Sequence, residues 1–389
     1  MKFWEGTKKF FAKNYKYLLA GLVIGGVSVA LALLGNPKNM AFCIACFLRD
    51  IAGSLGLHAN DKVQYARPEI IGIVLGAFVI SLIRKDFKVT GGSAPLTRFV
   101  LGACVMIGAL VFLGCPLRMV LRIGGGDLNA VVGLIGFIGG IVVGVLFLNK
   151  GFTLKRNYEL PKLEGYIAPA SSAVLLLLIL LPLVIPGAVI LISSTAGPGS
   201  MHAPIWAALL GGAIVGVVGQ ILRVCFISGV RDSIMFKQFH MLYTFVMIIA
   251  TVMIANAATG NLKFSFSGQP VAHQDFIWNI LGLFVVGLGS VFLGGCPFRQ
   301  LVLAGSGNSD SSITILGMIL GAALSHTLGL ASVADAAATA TTEAKLGGAT
   351  VKGMIACVLC IVIILAIGFF NIQREKKAKA KEQTQSAAQ

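Results

Sequence analysis

Charge is what this sequence has least of. Asp, Glu, Lys and Arg make up 12% of its 389 residues and hydrophobic residues 57%, a balance that excludes an ordinary soluble globular domain. Acidic side chains are the scarcer sign, 15 against 31 basic ones, for a net charge of +16. Such a surplus can mark a nucleic-acid binder, but here the basic residues sit in short segments flanking apolar runs, where bilayer orientation puts them, so no nucleic-acid partner is expected. The 8 cysteines are spread along the chain in or beside apolar runs, which excludes the dense framework of a disulfide scaffold and suits reduced thiols. No Walker lysine pattern, G-x-S-x-G elbow or dinucleotide fingerprint occurs, so ATP-driven pumping by this chain alone has no support and no cofactor is expected. His58, His202, His240, His273 and His326 lack metal-ligand spacing; capping or loop roles are expected of them, and no metal.

What is present is apolar sequence long enough to cross a bilayer. Ten spans are predicted, at about residues 17–35, 68–83, 98–114, 128–148, 167–192, 203–221, 240–258, 276–294, 312–332 and 350–370. Lys8, Lys9, Lys13 and Lys16 precede the first without an A-x-A cleavage pattern, which reads as an anchor that stays attached. With the N-terminus cytoplasmic, the inner loops hold Arg84, Lys85, Lys88 and Arg98, then Lys150, Lys155, Arg156 and Lys162, then Arg223, Arg231 and Lys237. The tail, with Arg374, Lys376, Lys377, Lys379 and Lys381, also falls inside. The loop at 193–202 has no basic residue and the loop after Ala258 carries only Lys263. This bias predicts an inner-membrane, multi-pass protein with both termini cytoplasmic. The polar tail is expected to be disordered.

The chain also repeats itself. Around Cys43 it reads CIACFLRD and around Cys225 CFISGVRD; CPLR begins at Cys115 and CPFR at Cys296. The offset is 182 residues for Cys43 to Cys225, Arg49 to Arg231 and Asp50 to Asp232, and 181 for Cys115 to Cys296. Apolar padding would drift between copies, so retained Cys, Arg and Pro point to one site assembled from both. Each copy holds four predicted spans with one extra span between them, so the second enters the membrane inverted, and inverted repeats place a shared site near the midplane. The predicted fold is an all-α polytopic membrane protein of about ten transmembrane helices, with two inverted repeats and broken or re-entrant half-helices meeting near the midplane. Its predicted divisions are a basic N-terminal segment 1–16, repeat 1 at 17–150, a linker and connecting helix at 151–202, repeat 2 at 203–333, a loop and last span at 334–370, and a basic tail at 371–389. Gly25, Gly26, Gly136, Gly139, Gly140, Gly144, Gly211, Gly212 and Gly216 are expected to allow close helix packing.

Cys115-Pro116 and Cys296-Pro297 end apolar spans after glycine. Proline cannot continue the preceding helix but suits the first position of a new one, so cysteine is expected near the N-cap of a short half-helix. Free N–H groups there, with Arg118 or Arg299 three residues on, form a cradle for an anion. Non-helical backbone at membrane depth is tolerated where it is buried in protein or lines a watery cavity, which points to a pathway. Arg49 and Arg231 stand next to Asp50 and Asp232. Such neighbours more often satisfy one another than bind a passenger, although a charge at the bilayer centre costs roughly 2.5–3.5 kcal/mol and will not face lipid. A thiol is polarizable and a weak donor, so four matched thiols favour a ligand with exposed sulfur or selenium. The alternative, cysteine as a small apolar residue, applies more strongly to Cys104, Cys357 and Cys360. Cys43 and Cys46 form a CxxC without the companions that zinc requires. GGGD at 124–127 and GSGNSD at 305–310 are expected to turn the chain into the next span.

These residues resemble the YeeE/YedE family of bacterial inner-membrane proteins over most of residues 17–370: paired C-x5-R-D segments, two G-C-P-x-R motifs and duplicated apolar halves. One branch imports thiosulfate and another is associated with selenium metabolism; the chain is most similar to the second. The resemblance implies an hourglass of inverted halves in which cysteines hand a sulfur or selenium anion along by thiol contacts. Carried over by position, it implies a relay of Cys115 and Cys296, then Cys225 with Cys43 as its mate. Cys46 breaks the two-fold pattern, since Ser228 stands in its place in the second copy. It further implies a small cytoplasmic carrier protein of the SirA/TusA type as partner. The expected activity is transport without covalent change, with Arg118 and Arg299 offsetting charge. The alternatives are a membrane-embedded transferase that forms a cysteine persulfide or perselenide, and a structural or regulatory membrane subunit.

Overall fold

A computed structural model describes residues 2–387, apart from 186, 189 and 337–344. The first six helices are α1 (Lys2–Leu33), α2 (Ile44–Ser54), α3 (Pro68–Ile83), α4 (Pro95–Phe112), α5 (Pro116–Gly124) and α6 (Leu128–Asn149). A connecting stretch holds α7 (Lys162–Gly165) and α8 (Ile167–Val184). Six more follow, α9 (Ile205–Ile221), α10 (Phe226–Phe236), α11 (His240–Ala258), α12 (Phe276–Leu293), α13 (Pro297–Gly305) and α14 (Ser309–Thr327), and then α15 (Val351–Ala387). Two short strands, β1 (Thr90–Gly91) and β2 (Tyr158–Glu159), pair antiparallel between loops. The expected all-α membrane architecture is therefore present. Seven helical segments are long and apolar enough to cross a membrane, and Pro68–Ile83 and Ile167–Pro182 are shorter apolar helices. The remaining predicted span, the ninth, is α14, which opens on the polar run Ser309, Asp310, Ser311 and Ser312.

Helices α9 to α14 repeat α1 to α6. The short members match in length, 11 residues for α2 and α10 and 9 for α5 and α13. Their boundaries also match in kind. Leu113 and Gly294, 181 positions apart, end α4 and α12 in the left-handed region, at φ 61° and 76°. A residue with a Cβ pays roughly 1–2 kcal/mol there, so glycine is the unstrained choice and Leu113 is held by its surroundings. Proline then starts α5 and α13 at the first turn. Asp127 and Asn308, also 181 apart, cap α6 and α14, accepting from Asn129 N at 2.9 Å and Ser311 N at 2.8 Å. The GGGD and GSGNSD segments are thus the predicted turns.

Packing carries the same two-fold relation. Across α6 and α12, Gly136 faces Ile280, Gly140 faces Phe284 and Gly144 faces Val291, so the two run parallel; across α14 and α4, Gly317 faces Phe99 and Gly321 faces Ala103, again parallel. The pairs α3 with α9 and α11 with α1 repeat this relation. By contrast, Gly108 of α4 faces Gly282 and Val285 of its own mate α12, and Val105 faces Gly289. Numbering rises along α4 as it falls along α12. Mates that run antiparallel are related by an axis across the helices, which is the inverted arrangement.

Several details differ from expectation. Gly26 has nothing near its absent side chain and Gly139 only a Phe284 ring atom at 3.7 Å, so these two do not mediate close packing. The span expected over 167–192 ends at Val184. The tail expected to be disordered continues α15 to Ala387, because Lys, Glu, Gln and Ala are good helix formers and no glycine or proline interrupts them. Part of the loop expected at 334–350 lies outside the described residues.

One end of the bundle gathers the basic loops. Lys88 N bonds Ser306 O, Leu160 N bonds Val89 O and Thr153 N bonds Asn371 Oδ1, joining the loops after α3 and α6 to each other, to the end of α13 and to α15, while His240 meets Asn14 between α11 and α1. This end is called the basic face. At the opposite face, the 259–275 loop clasps the α5–α6 turn through Lys263 N to Gly125 O and Ser265 N to Gly126 O.

The glycine contacts set a test. Gly136→Ala forces a methyl group into the Ile280 backbone and is expected to cost on the order of 1–3 kcal/mol, seen as a lower melting temperature of detergent-purified protein. Gly139→Ala on the same helix is expected to leave it unchanged.

Candidate functional site

Four half-helices begin in the same way. Cys43, Cys115, Cys225 and Cys296 are the N-caps of α2, α5, α10 and α13. Each precedes a helix start whose first N–H groups have no partner within their own helix. The thiols then pair across elements. Ile44 N, in the first turn of α2, donates to Cys115 Sγ at 3.3 Å, and Phe226 N, in the first turn of α10, donates to Cys296 Sγ at 3.4 Å. Cys46 N donates to Cys43 Sγ at 3.3 Å. Cys43 is thereby brought to Cys115 and Cys225 to Cys296, one pair per repeat. All five belong to one continuous buried core, within which α13 touches α2. Sulfur is a weak acceptor, so these bonds satisfy helix starts without holding them tightly.

The arginines divide the two repeats. Arg118 is fully buried. Its guanidinium donates to the carbonyls of Leu113, Asn39 at 3.1 Å, Pro270 at 3.2 Å and Val271 at 3.0 Å, and lies 3.6 Å from Cys46 Sγ. It therefore ties α5 to the loop before α2 and to the 259–275 loop, closing the opposite face. Its mate Arg299 is only half-buried and makes one bond, from Nη1 to Gly219 O at 3.3 Å. Arg49 bonds Asp50 Oδ1 at 2.7 Å, and Arg67 bonds Asp50 Oδ2 at 2.8 Å, all three buried. Arg231 pairs with Asp232 at 2.8 Å, with side chains 25% and 23% exposed.

Toward the basic face the site is open. A cavity of about 460 Å³ is lined by Cys225, Ser228, Arg223, Arg231, Asp232 and Arg299, with His240 at its edge. In the first repeat Cys43, the mate of Cys225, and Cys46, which stands where the second repeat has Ser228, have no exposed surface.

Several of these residues were not singled out from sequence. Cys43 and Cys225 as caps were missed because no proline follows them. Arg67 precedes Pro68, just outside the span predicted at 68–83, and carries no local motif. Arg122, buried and 2.6 Å from Asp127, had a signal in its R-x4-D spacing into the GGGD turn. Cys104 meets Cys360 across α4 and α15, away from the half-helices. The histidines serve chain geometry: His273 Nε2 meets Val111 O at 2.8 Å and its Nδ1 accepts from Asp275 N. Among the described residues, no group of three His, Cys, Asp or Glu is arranged to hold a metal ion.

The profile of a protein family described as sulphur transport matches residues 2–115 and 223–389. Those segments contain all four capping cysteines. The thiosulfate transporter TsuA of Spirochaeta thermophila is 33% identical over 119 residues, covering 30% of this chain and 35% of that relative. The chain thus matches about a third of that relative's length.

The cavity sets an accessibility order. Cys225, although part of the core, lines it and is 4% exposed, whereas Cys43 and Cys46 are 0% and Cys115 1% exposed and none of the three lines it. A water-soluble maleimide applied to the basic face is expected to modify Cys225 well before those three, as measured by peptide mass mapping over time; equal rates would contradict the open geometry.

Proposed function

We propose a transport function from one established premise: the chain belongs to the sulphur-transport family, whose profile matches more than half of it. It carries a small sulfur- or selenium-bearing anion inward across the bacterial inner membrane, with the basic face and both termini in the cytoplasm. The observation that carries this reading is the convergence of cysteine-capped half-helices, in two pairs related by an inverted two-fold, inside a membrane-spanning bundle.

The chemistry follows from what the caps offer. Half-helix N-termini lower the cost of an anion in a low-dielectric core, and thiols meet its polarizable outer atom with weak, exchangeable contacts. Several weak sites in series let a passenger leave as readily as it arrives. The route runs from the Cys43–Cys115 pair, with Cys46 beside it, to the Cys296–Cys225 pair and the cavity. Admission from the opposite face requires Arg118 to release its carbonyls, which lets the guanidinium offset the passenger's charge as it enters. Arg49 serves mainly to hold Asp50, which also pairs with Arg67. Arg231 and Arg299 face the passenger after the constriction. A cytoplasmic carrier protein receiving the passenger would dock at the basic face.

The relative is described as a thiosulfate transporter, and thiosulfate suits this site because one end is a soft sulfur and the other an oxyanion. The rival reading uses the same thiols covalently. A thiolate attacks the outer sulfur of thiosulfate, forming a cysteine persulfide as sulfite leaves with the bonding electron pair. The caps favour it to the extent that a helix N-terminus stabilises thiolate.

Cys296→Ala is expected to abolish thiosulfate uptake by proteoliposomes while membrane insertion stays normal. Undiminished uptake would exclude the thiol route. In alkylation-quenched mass spectra of loaded protein, unmodified Cys115 and Cys296 are expected; a persistent persulfide on either would select the transferase.

A further inference from the structure

The cavity at the basic face carries more positive charge than its own fold requires. In the first repeat, the chain break after α4 is held by arginine: Arg122 Nη1 bonds Phe112 O at 3.1 Å and Arg118 bonds Leu113 O. In the second repeat, the break after α12 is held differently. Gln300 Nε2 bonds Leu293 O at 3.3 Å and Gly295 O at 3.2 Å, and Arg98 Nη1 reaches Leu293 O at 3.3 Å. Arg299 is thereby released from the duty its mate Arg118 performs, and it lines the cavity with a single bond, to Gly219 O, of its own.

Arg223 stands on the same cavity wall, close enough to Arg299 for the two charges to act on one another. Among the described residues its side chain has no salt bridge and no hydrogen bond. Its backbone lies at φ 52°, a conformation disfavoured for any residue with a Cβ. The one carboxylate on the wall, Asp232, is already bonded to Arg231 at 2.8 Å. Three guanidiniums thus share a half-enclosed space with one carboxylate, and like charges in such a space repel unless an anion joins them.

We infer that Arg223, Arg231 and Arg299 form a binding site for a small divalent oxyanion in the basic-face cavity. Recognition is by charge and by N–H donors aimed at oxygen, so the site takes sulfate as well as thiosulfate and does not select for the soft atom. Selection stays at the thiols, and the arginine site holds the passenger, water-accessible and loosely bound, after it has passed them. The site deepens the transport reading and rests on it for this role, whereas its occupancy is measured without transport.

The test is calorimetric titration of detergent-purified full-length protein with sodium sulfate and with sodium thiosulfate, against sodium chloride at equal ionic strength. Saturable binding of both divalent anions is expected. Arg223→Gln and Arg299→Gln are each expected to weaken it roughly tenfold, the loss of one charge-assisted contact. Arg84→Gln, an exposed basic-face residue paired with Asp86, is expected to leave it unchanged. Absence of saturable binding, or losses no larger than for Arg84→Gln, would overturn the site. Should Arg299→Gln not elute as folded protein, the exposed Arg223→Gln decides the matter alone. Binding without proteoliposome uptake removes the transport reading and keeps the site; uptake without binding does the reverse.

Discussion

An interrupted helix in the middle of a membrane protein leaves N–H and C=O groups that water cannot reach, and each one left unmet costs about 1–3 kcal/mol. The structure answers this constraint at the ends of α4 and α12 and at the starts of α2 and α10. The carbonyl ends of α4 and α12 are met by Arg118, Arg122, Gln300 and Arg98, and the starts of α2 and α10 by the sulfurs of Cys115 and Cys296. Sulfur is the weakest of these partners. On the proposed route the site exchanges its internal bonds for bonds to a passenger, and groups that hold little, placed at the N-termini of the half-helices, suit that exchange.

The two-fold relation is followed by the backbone and broken by the side chains. The lengths of the half-helices, the capping positions and the helix pairings repeat between the copies, yet Arg118 is locked into carbonyls while Arg299 is open, and Asp50 has two arginines while Asp232 has one. The same scaffold therefore yields a sealed opposite face and an open basic face.

Much of the fold was legible. The Cys-Pro pairs announced breaks because proline cannot continue a helix, and GGGD and GSGNSD announced turns because glycine admits positive φ. The inverted relation followed from an odd number of spans between equal halves. The tail misled because polarity alone does not decide disorder when most residues are good helix formers and no glycine or proline intervenes. Gly26 and Gly139 misled because a glycine on a helix does not say which face meets a neighbour. The role of Arg118 as a clamp was hidden, since its acceptors in the 259–275 loop are more than 140 positions away.

The sequence by itself determined the membrane class, the duplication, the places where helices stop and the residue types at those stops, since these depend on local backbone chemistry and on hydrophobic length. Only the tertiary structure decided that Cys115 meets the start of α2 and Cys296 the start of α10, and which arginines are spent on the scaffold. Partners separated by 70 residues or more are chosen by how helices pack, and no spacing along the chain records that choice.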